Sequence, residues 1–166
     1  MRSLTTILLW ILCNTNVFSQ QGNDCKIQPF KAYIDDIDVF SNVRATPTGE
    51  IILKINNQVL DGWVMRIIDF ENGWFKIDSL SGVSGCEMAS FEGWVHNSIV
   101  GASNTYDLNL WDSPHGKTKV GFIKGENGDT FKILEAHCEW IKIKYNDLIG
   151  WVKSEETCGS PVTTCP

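Results

Sequence analysis

Positive charge is scarce in this chain of 166 residues, and so is proline. Lys and Arg together number 14 against 20 Asp and Glu, which gives a formal net charge of -6. A protein that neutralises nucleic-acid phosphates needs a basic surface, so the composition argues against a nucleic-acid partner. Five prolines and 14 glycines are too few for a collagen-like or linker-like chain, whereas 43% hydrophobic residues suffice for a folded core.

Long hydrophobic runs are also absent. The run ILLWIL at 7–12 is too short to span a bilayer as a helix, which needs about 20 apolar residues, and no later window predicts a membrane span. Arg2 precedes this run and Ser19 follows it, the layout of a signal peptide over residues 1–19. A buried N-terminal helix is the alternative, which the length and flanks disfavour. The sequence thus predicts an exported protein, periplasmic or secreted, with 13 basic and 20 acidic side chains after cleavage.

Catalytic and metal-binding motifs are missing as well. The chain has no HExxH, GxSxG, phosphate-binding loop or CxxC motif, and its cysteine spacings do not match a zinc site. His137 and Cys138 point to opposite faces if they lie on an extended strand, and would then be a poor nucleophile–base pair. The acidic group at 35–38 lacks the glycine and distal glutamate of a calcium loop and is typical of a solvated turn. We predict no enzyme, no metal and no cofactor.

What the chain does contain is an internal repeat, which three patterns mark in the same order. Each copy has Asn-aliphatic-x-x-Thr/Ser-Pro-x-Gly, then Trp-Phe/Ile-Lys-Ile, then Gly-Trp-Val. The matching segments are 42–49 with 109–116, 73–77 with 139–143, and 93–95 with 150–152. The first copy carries an insert at 78–92. Three patterns in register indicate a duplication.

The repeated segments have the character of short strands joined by turns. In the first pattern, proline fixes φ for a turn, and we expect the glycine to adopt the positive φ that follows. Strands are predicted over 51–55, 63–68, 74–77, 119–123, 130–134 and 140–144, because large apolar residues alternate with outward ones. No window has sustained helical periodicity, so the predicted fold is all-β, with two tandem small β-barrels. The equivalence of the tryptophans between copies assigns them to the cores: Trp74 with Trp140, and Trp94 with Trp151.

Each copy resembles a bacterial SH3-like domain, and the best match is SNVRATPTGE at 41–50. The family usually has an arginine at the position that Arg44 occupies in the first copy. The second copy departs from the family because Trp111 stands at that position. The resemblance implies an SH3-like barrel at 32–100, a second at 104–157, a very short linker around Ser103, and a cysteine-bracketed tail at 158–166. It also implies binding rather than catalysis, since exported members commonly attach to cell-wall peptides or accompany peptidoglycan hydrolases.

Loss of the signal peptide would leave five cysteines in an oxidising compartment. Cys158 and Cys165 bracket a short loop after the last strand, and a bridge there would clip the tail, as in similar exported proteins with SH3-like repeats. Cys25 precedes the first barrel and Cys86 lies in its insert, so they are a plausible second pair. Cys138 would then be free. Five cysteines allow fifteen ways of forming two bridges, so the connectivity stays open.

Unpaired aromatics and arginines are the candidate ligand contacts. The aromatics without an identical counterpart are Trp63, Tyr106, Trp111 and Tyr145, and they suit either a peptide or sugar groove or packing between the barrels. Arg44 and Arg66 would be the arginines left in the mature chain, and each fits a ligand carboxylate or a nearby Asp. We select Arg44 as the ligand-binding arginine.

Three functions fit these features. The first is a non-enzymatic exported protein that recognises a cell-wall peptide or glycan, such as peptidoglycan, or another envelope component. The alternative is an inhibitor or immunity protein, whose acidic surface suits a basic wall hydrolase or toxin. A hydrolase with an unrecognised site is the third and least supported.

Overall fold

The structure is a computed structural model that describes residues 25–58, 62–83, 92–125 and 128–160. The predicted signal peptide, Cys86 and Cys165 lie outside these residues. The described chain is built almost wholly of strands, which confirms the predicted all-β class. None of the described residues belongs to a helix that is long and apolar enough to cross a membrane.

The described residues form twelve strands. Short 3₁₀ turns follow the sixth strand, at Asn97–Ile99, and the twelfth, at Ser154–Glu156. The strands are β1 Phe30–Ile34, β2 Phe40–Arg44, β3 Ile51–Asn56, β4 Trp63–Glu71, β5 Trp74–Gly82, β6 Gly93–His96, β7 Val100–Ser103, β8 Leu108–Trp111, β9 Lys119–Ile123, β10 Thr130–His137, β11 Trp140–Tyr145 and β12 Leu148–Lys153. The predicted strands all lie within these bounds or overlap them. The pattern did not reveal β1 and β7.

The strands form one antiparallel sheet in the order β3-β2-β6-β5-β4-β1-β7-β10-β11-β12-β8-β9. Within β1–β6, the pairs are β1–β4, β2–β3, β2–β6, β4–β5 and β5–β6. Within β7–β12, the same pairs recur six strands later. The chain is therefore a structural duplication, and we call β1–β6 the first half and β7–β12 the second. The closure of each half into a separate barrel, with the proposed boundaries, stays a prediction.

The two halves are joined by a strand and not by a linker. β7 pairs with β1 of the first half at Tyr33–Gly101 and with β10 of its own half at Phe131–Ala102. All four residues of β7 are buried. The expectation of a linker around Ser103 is thus wrong, because these residues complete the backbone hydrogen bonding of strands on both sides.

Equivalent positions of the two halves fill the core. They are at most 1% exposed, and the pairs are Val43 with Leu110, Ile67 with Ile133, Phe75 with Ile141, Ile77 with Ile143, and Val95 with Val152. In sequence, each of these residues is flanked by side chains that are exposed or half-buried, apart from Ile141, which follows the buried Trp140. This is the alternation expected of strands with one buried face.

Of the four tryptophans that we assigned to the cores, Trp140 alone is buried, at 7% exposure. Trp74, Trp94 and Trp151 are half-buried. In β6, Gly93 and Val95 face inward, so Trp94 between them faces outward. The core assignment is therefore wrong for these three residues, because the strand period places them on the outer face.

The Pro-containing turns also differ from expectation in one detail. Positive φ falls on Thr48 and His115, at 60° and 58°, and not on the glycines that follow them. Gly49 and Gly116 are required for space instead: a Cβ would lie 2.3 Å from Thr46 Oγ1 and 2.0 Å from Asp112 Oδ1, respectively. Glycine occurs at this position of the pattern because the turn is too closely packed for a larger side chain.

A disulfide joins Cys25 to Cys138, with Cα atoms 5.4 Å apart across 113 residues of sequence. The predicted Cys25–Cys86 pair and the free Cys138 are therefore wrong. The physical reason is that the segment before β1 runs beside the β10–β11 turn, where Gln28 N–H donates to Cys138 O at 2.9 Å. Cys158 is also disulfide-bonded. Its predicted pairing with Cys165 stays a prediction.

Candidate functional site

A groove on the first half combines aromatic, acidic and basic side chains, and we call it the β2 groove. It measures about 340 Å³ and lies among the β1–β2 loop, the outer face of β2, the start of β5 and the 3₁₀ turn after β6. Its lining residues are Asp36, Asp38, Phe40, Asn42, Arg44, Trp74, His96, Ser98 and Ile99. Aromatic surface with a few polar groups is what small ligand sites typically present.

Arg44 is the cation of the β2 groove. It ends β2 beside a β-bulge and lies opposite Trp94 of β6. Its Nη1 donates to Gly49 O at 2.6 Å, and its guanidinium carbon lies 5.8 Å from the centre of the Trp74 ring. One N–H group is thus fixed by the turn while the planar head lies against an aromatic face. The guanidinium retains donors for a ligand carboxylate.

His96 and Trp74 form one wall of the groove. Their rings pack edge to face with centres 5.0 Å apart. His96 Nδ1 accepts from Ser98 N–H at 3.3 Å and lies 2.9 Å from Ser98 Oγ. In the neutral imidazole the proton is therefore assigned to Nε2, which is then a hydrogen-bond donor.

The acidic loop of the groove is braced by its own hydrogen bonds. The carboxylate of Asp36 accepts from Ser41 Oγ at 2.7 Å and from Asp38 N–H at 3.1 Å. Asn57 Nδ2 donates to Ser41 Oγ at 2.9 Å and to Asp38 O at 2.8 Å. These four contacts tie the β1–β2 loop to the start of β2 and to the residue after β3.

Asn42 contributes a buried acceptor. Its Oδ1 is inaccessible to solvent and has no hydrogen-bond partner among the described residues. A buried polar atom without a partner carries a free-energy cost, so this oxygen lowers the stability of the fold and is not an open ligand contact.

The second half has replaced or covered the corresponding groups. Trp111 stands at the position of Arg44 and lies opposite Trp151. In the first half His96 lies opposite Trp74, and at the equivalent position of the second half Lys153 lies opposite Trp140. The Trp140 ring is buried, with His115 packed against it at 5.4 Å between ring centres. The aromatic wall that stays accessible in the first half is therefore closed in the second.

Of the five predicted ligand contacts, Arg44 lines the β2 groove and the others lie elsewhere. Trp63 packs against the core and donates its Nε1–H to Asn56 O at 3.1 Å. Trp111 lies on the outer face beside Trp151. Tyr106 is 64% exposed over a shallow separate pocket. A hydrogen bond with Asp129, together with burial, raises the pKa of Tyr145.

Arg66 has the alternative role that the sequence left open. It lies on β4 and forms a two-point ion pair with Asp78 of β5, in which Nε donates to Oδ1 at 2.8 Å. The guanidinium lowers the pKa of Asp78 through that hydrogen bond. Arg66 is thus engaged within the sheet surface, whereas Arg44 faces a groove.

Trp74, His96, Asp36 and Phe40 are groove residues that the sequence did not identify. The sequence pattern assigns Trp74 to the core and interprets the acidic group that contains Asp36 as a turn. His96 directly follows a Gly-Trp-Val motif and Phe40 precedes the best-matching segment, but neither position indicates a ligand contact by itself. One signal was available: Arg44 and Trp111 occupy matched repeat positions with unlike chemistry, which marks the two halves as functionally different.

The described residues define an all-β protein of duplicated design, and its first half carries a mixed-charge, aromatic-lined groove. No protein-family model matches the chain, and no curated protein matches it. Among solved structures, the chain is similar to NlpC1 from Trichomonas vaginalis, at 12% identity and a TM-score of 0.33, over 79% of this chain and 46% of that one. It is also similar to NlpC2 from Trichomonas vaginalis, at 12% identity and a TM-score of 0.32, over 78% and 48%. The chain thus spans about half the length of these proteins.

Proposed function

We propose that this protein is a non-enzymatic exported binding protein that recognises peptidoglycan, or another cell-envelope component, through the β2 groove. The observation that carries the proposal is the convergence of Arg44, Trp74 and the Asp36–Asp38 loop in one groove of the first half, whereas the second half has Trp111 at the position of Arg44.

The chemistry of the groove fits a short peptide that carries both carboxylate and amine groups. Arg44 would hold a carboxylate with paired N–H donors, and the carboxylates of Asp36 and Asp38 would attract an amine. Trp74 and Phe40 would cover the aliphatic part of the same ligand. Peptide side chains of a cell wall offer this combination of carboxylate, amine and aliphatic groups.

Binding without catalysis is supported by the state of the groove histidine. A nucleophilic serine needs an imidazole that a third group orients. His96 Nδ1 already accepts from the backbone N–H of Ser98, which is a local cap of the 3₁₀ turn. In the described part of the chain no third group is hydrogen-bonded to the imidazole, so the Ser98 hydroxyl lacks the arrangement that would activate it.

Sedimentation with purified, insoluble peptidoglycan tests the proposal. The wild-type protein is expected in the pellet at low and moderate salt. Arg44→Ala should weaken binding about 10- to 100-fold, the effect of losing a charge-assisted hydrogen-bonded pair. Arg66→Ala is the matched control, because it removes the same charge from outside the groove, and should bind as wild type. Wild-type protein that stays in the supernatant at both salt concentrations would refute the proposal.

A second function has one specific observation in its favour. Ile37 is fully exposed at the tip of the braced β1–β2 loop, at 102% relative accessibility, and Phe40 beside it is 51% exposed. A rigid loop that presents an apolar side chain suits insertion into the cleft of a protein, as an inhibitor of a wall hydrolase or toxin would do. Loss of a hydrolase's activity on addition of wild type, but not of Ile37→Asp, would support inhibition over wall binding.

A further inference from the structure

We propose that, once its Cys25–Cys138 disulfide is reduced, this protein binds one thiophilic divalent metal ion, such as Zn²⁺, through Cys25, Cys138 and His137. The sulfur and nitrogen atoms that these three residues offer all lie within 4.8 Å of one another. Neither the spacing of the cysteines nor any motif predicts this group, because one ligand comes from residue 25 and two from residues 137 and 138.

The distances fit a tetrahedral ion. His137 Nε2 lies 3.7 Å from Cys25 Sγ. Zinc bonds of about 2.3 Å to sulfur and about 2.0–2.1 Å to nitrogen place such a pair of ligands roughly 3.6 Å apart in a tetrahedral site. After reduction the two sulfurs separate by about 2 Å to reach the same spacing, a movement within the reach of side-chain rotation.

A backbone contact links the two segments that carry the ligands, independently of the disulfide. Gln28 N–H donates to Cys138 O at 2.9 Å, which docks the segment after Cys25 on the β10–β11 turn. Cys138 has a φ of 55°, so the chain turns there and does not continue as a strand. The expectation that His137 and Cys138 point to opposite faces holds only for an extended chain. It does not apply here, because the chain turns at Cys138. Reduction therefore leaves a prearranged group of ligands.

The site is also open to solution. Cys25 and His137 are exposed, Cys138 is half-buried, and a cleft of about 580 Å³ adjoins them. Lys26 and Asp69 are the charged residues of that cleft. An ion therefore has an entry path, and water can supply the fourth ligand that three protein donors leave open.

Formation of the site requires a dithiol reductant. Two electrons and two protons pass from the dithiol to the sulfur pair, so the Cys25–Cys138 bond breaks and the dithiol closes to its own disulfide. Binding of the ion then releases the two thiol protons, because thiolates are the metal ligands. The oxidised protein has neither thiolate and should not bind the ion at this place.

Cobalt titration of the full mature protein tests the proposal, since a thiolate–Co²⁺ bond gives a charge-transfer absorption band. The protein is reduced with a dithiol, freed of reductant by anaerobic gel filtration, and titrated with Co²⁺ and then with competing Zn²⁺. We expect a one-to-one band in the reduced protein, none in the oxidised protein, and displacement by Zn²⁺. His137→Gln should weaken Co²⁺ binding by more than the roughly 10–100-fold that loss of an outer ligand partner costs. His115→Gln is the control and should bind as wild type.

The double variant Cys25→Ser/Cys138→Ser separates this site from the other cysteines of the chain. An unchanged band in that variant, or equal affinity of His137→Gln and wild type, would overturn the proposal. Near-ultraviolet circular dichroism of the reduced protein provides the check on folding. Loss of the folded spectrum on reduction would also overturn it, because the ligands meet only in the folded chain.

Discussion

Arg44 and Trp111 occupy the same place in the two halves of the sheet. Each ends its strand after a β-bulge, and each lies directly opposite a tryptophan, Trp94 or Trp151. The backbone around them is the same, so the difference between a cationic and an apolar side chain is a difference in surface chemistry and not in folding. The first half thereby keeps a polar groove, and the second presents an apolar outer face.

Substitutions of the equivalent tryptophans Trp74 and Trp140 should differ in their effects, one mainly on ligand binding and the other mainly on stability. Trp140 is buried, so Trp140→Ala should reduce the free energy of unfolding by about 3–5 kcal/mol. Trp74 is half-buried in the β2 groove, and Trp74→Ala should cost clearly less stability while weakening peptidoglycan binding. Urea unfolding followed by intrinsic fluorescence, with sedimentation of both variants, provides the comparison. A greater loss of stability in Trp74→Ala than in Trp140→Ala would contradict the structure.

Removal of the Cys25–Cys138 bridge should destabilise the whole sheet. The bridge closes a loop of 113 residues, and a disulfide that closes a loop of this order contributes about 5 kcal/mol in the chain-entropy treatment. Cys25→Ser and Cys138→Ser should each lose that amount, and the double variant should lose no more, because one bond is broken in every case. Chemical denaturation measures the three values. Since a domain has about 5–15 kcal/mol in total, the variants should still fold.

The segment after Cys158 packs so closely on β1 that one methyl group should disturb it. A Cβ on the buried Gly159 would lie 2.4 Å from the carbonyl carbon and 2.5 Å from the oxygen of Lys31. Backbone atoms cannot rotate away, so Gly159→Ala should cost about 1–3 kcal/mol. Gly121→Ala is the control, because its nearest neighbours would lie at an ordinary 3.5 Å. Equal melting temperatures for the two variants would show that this segment does not dock as described.

Tyr33 should make the protein sensitive to alkaline pH. Burial, together with the charge of Asp35, raises the pKa of Tyr33 to about 12, and its hydroxyl donates to Ala102 O at 3.1 Å. Below pH 10 the folded and unfolded chains both keep the proton, so the stability is complete. Between about pH 10 and 12 the unfolded chain loses its proton first, and the free energy of unfolding should fall by on the order of 2 kcal/mol.

Melting curves between pH 9 and pH 12 test this expectation. Tyr33→Phe should abolish the part of the alkaline decrease in unfolding free energy that is due to this residue. The variant should also be less stable than wild type at neutral pH, because Ala102 O loses its hydrogen-bond donor. Tyr106→Phe is the matched control, since Tyr106 is exposed, and it should follow the wild-type curve. Identical pH profiles for Tyr33→Phe and wild type would show that this hydroxyl does not carry the effect.

Local pattern was sufficient for most strands of the fold. Alternation and turn residues identify β4, β5, β9, β10 and β11, and the shared patterns of the two copies predict matching pairings. β7 escaped prediction because VGAS has neither alternation nor large side chains, and it is a strand because β1 and β10 pair with its two edges. Trp94 was misassigned because repetition between copies identifies a structural position but not the face on which it lies.

For the candidate sites, too, some features follow from the sequence and others only from the tertiary structure. The sequence by itself determined the all-β class, the duplication and the one matched position, Arg44 against Trp111, at which the halves diverge. Only the tertiary structure decided that Arg44 faces Trp74 and His96, and that Cys25 meets Cys138 across 113 residues. The physical reason is that side-chain alternation and turn preferences act over a few residues. These contacts depend instead on how distant strands pair and on where the segment before β1 docks.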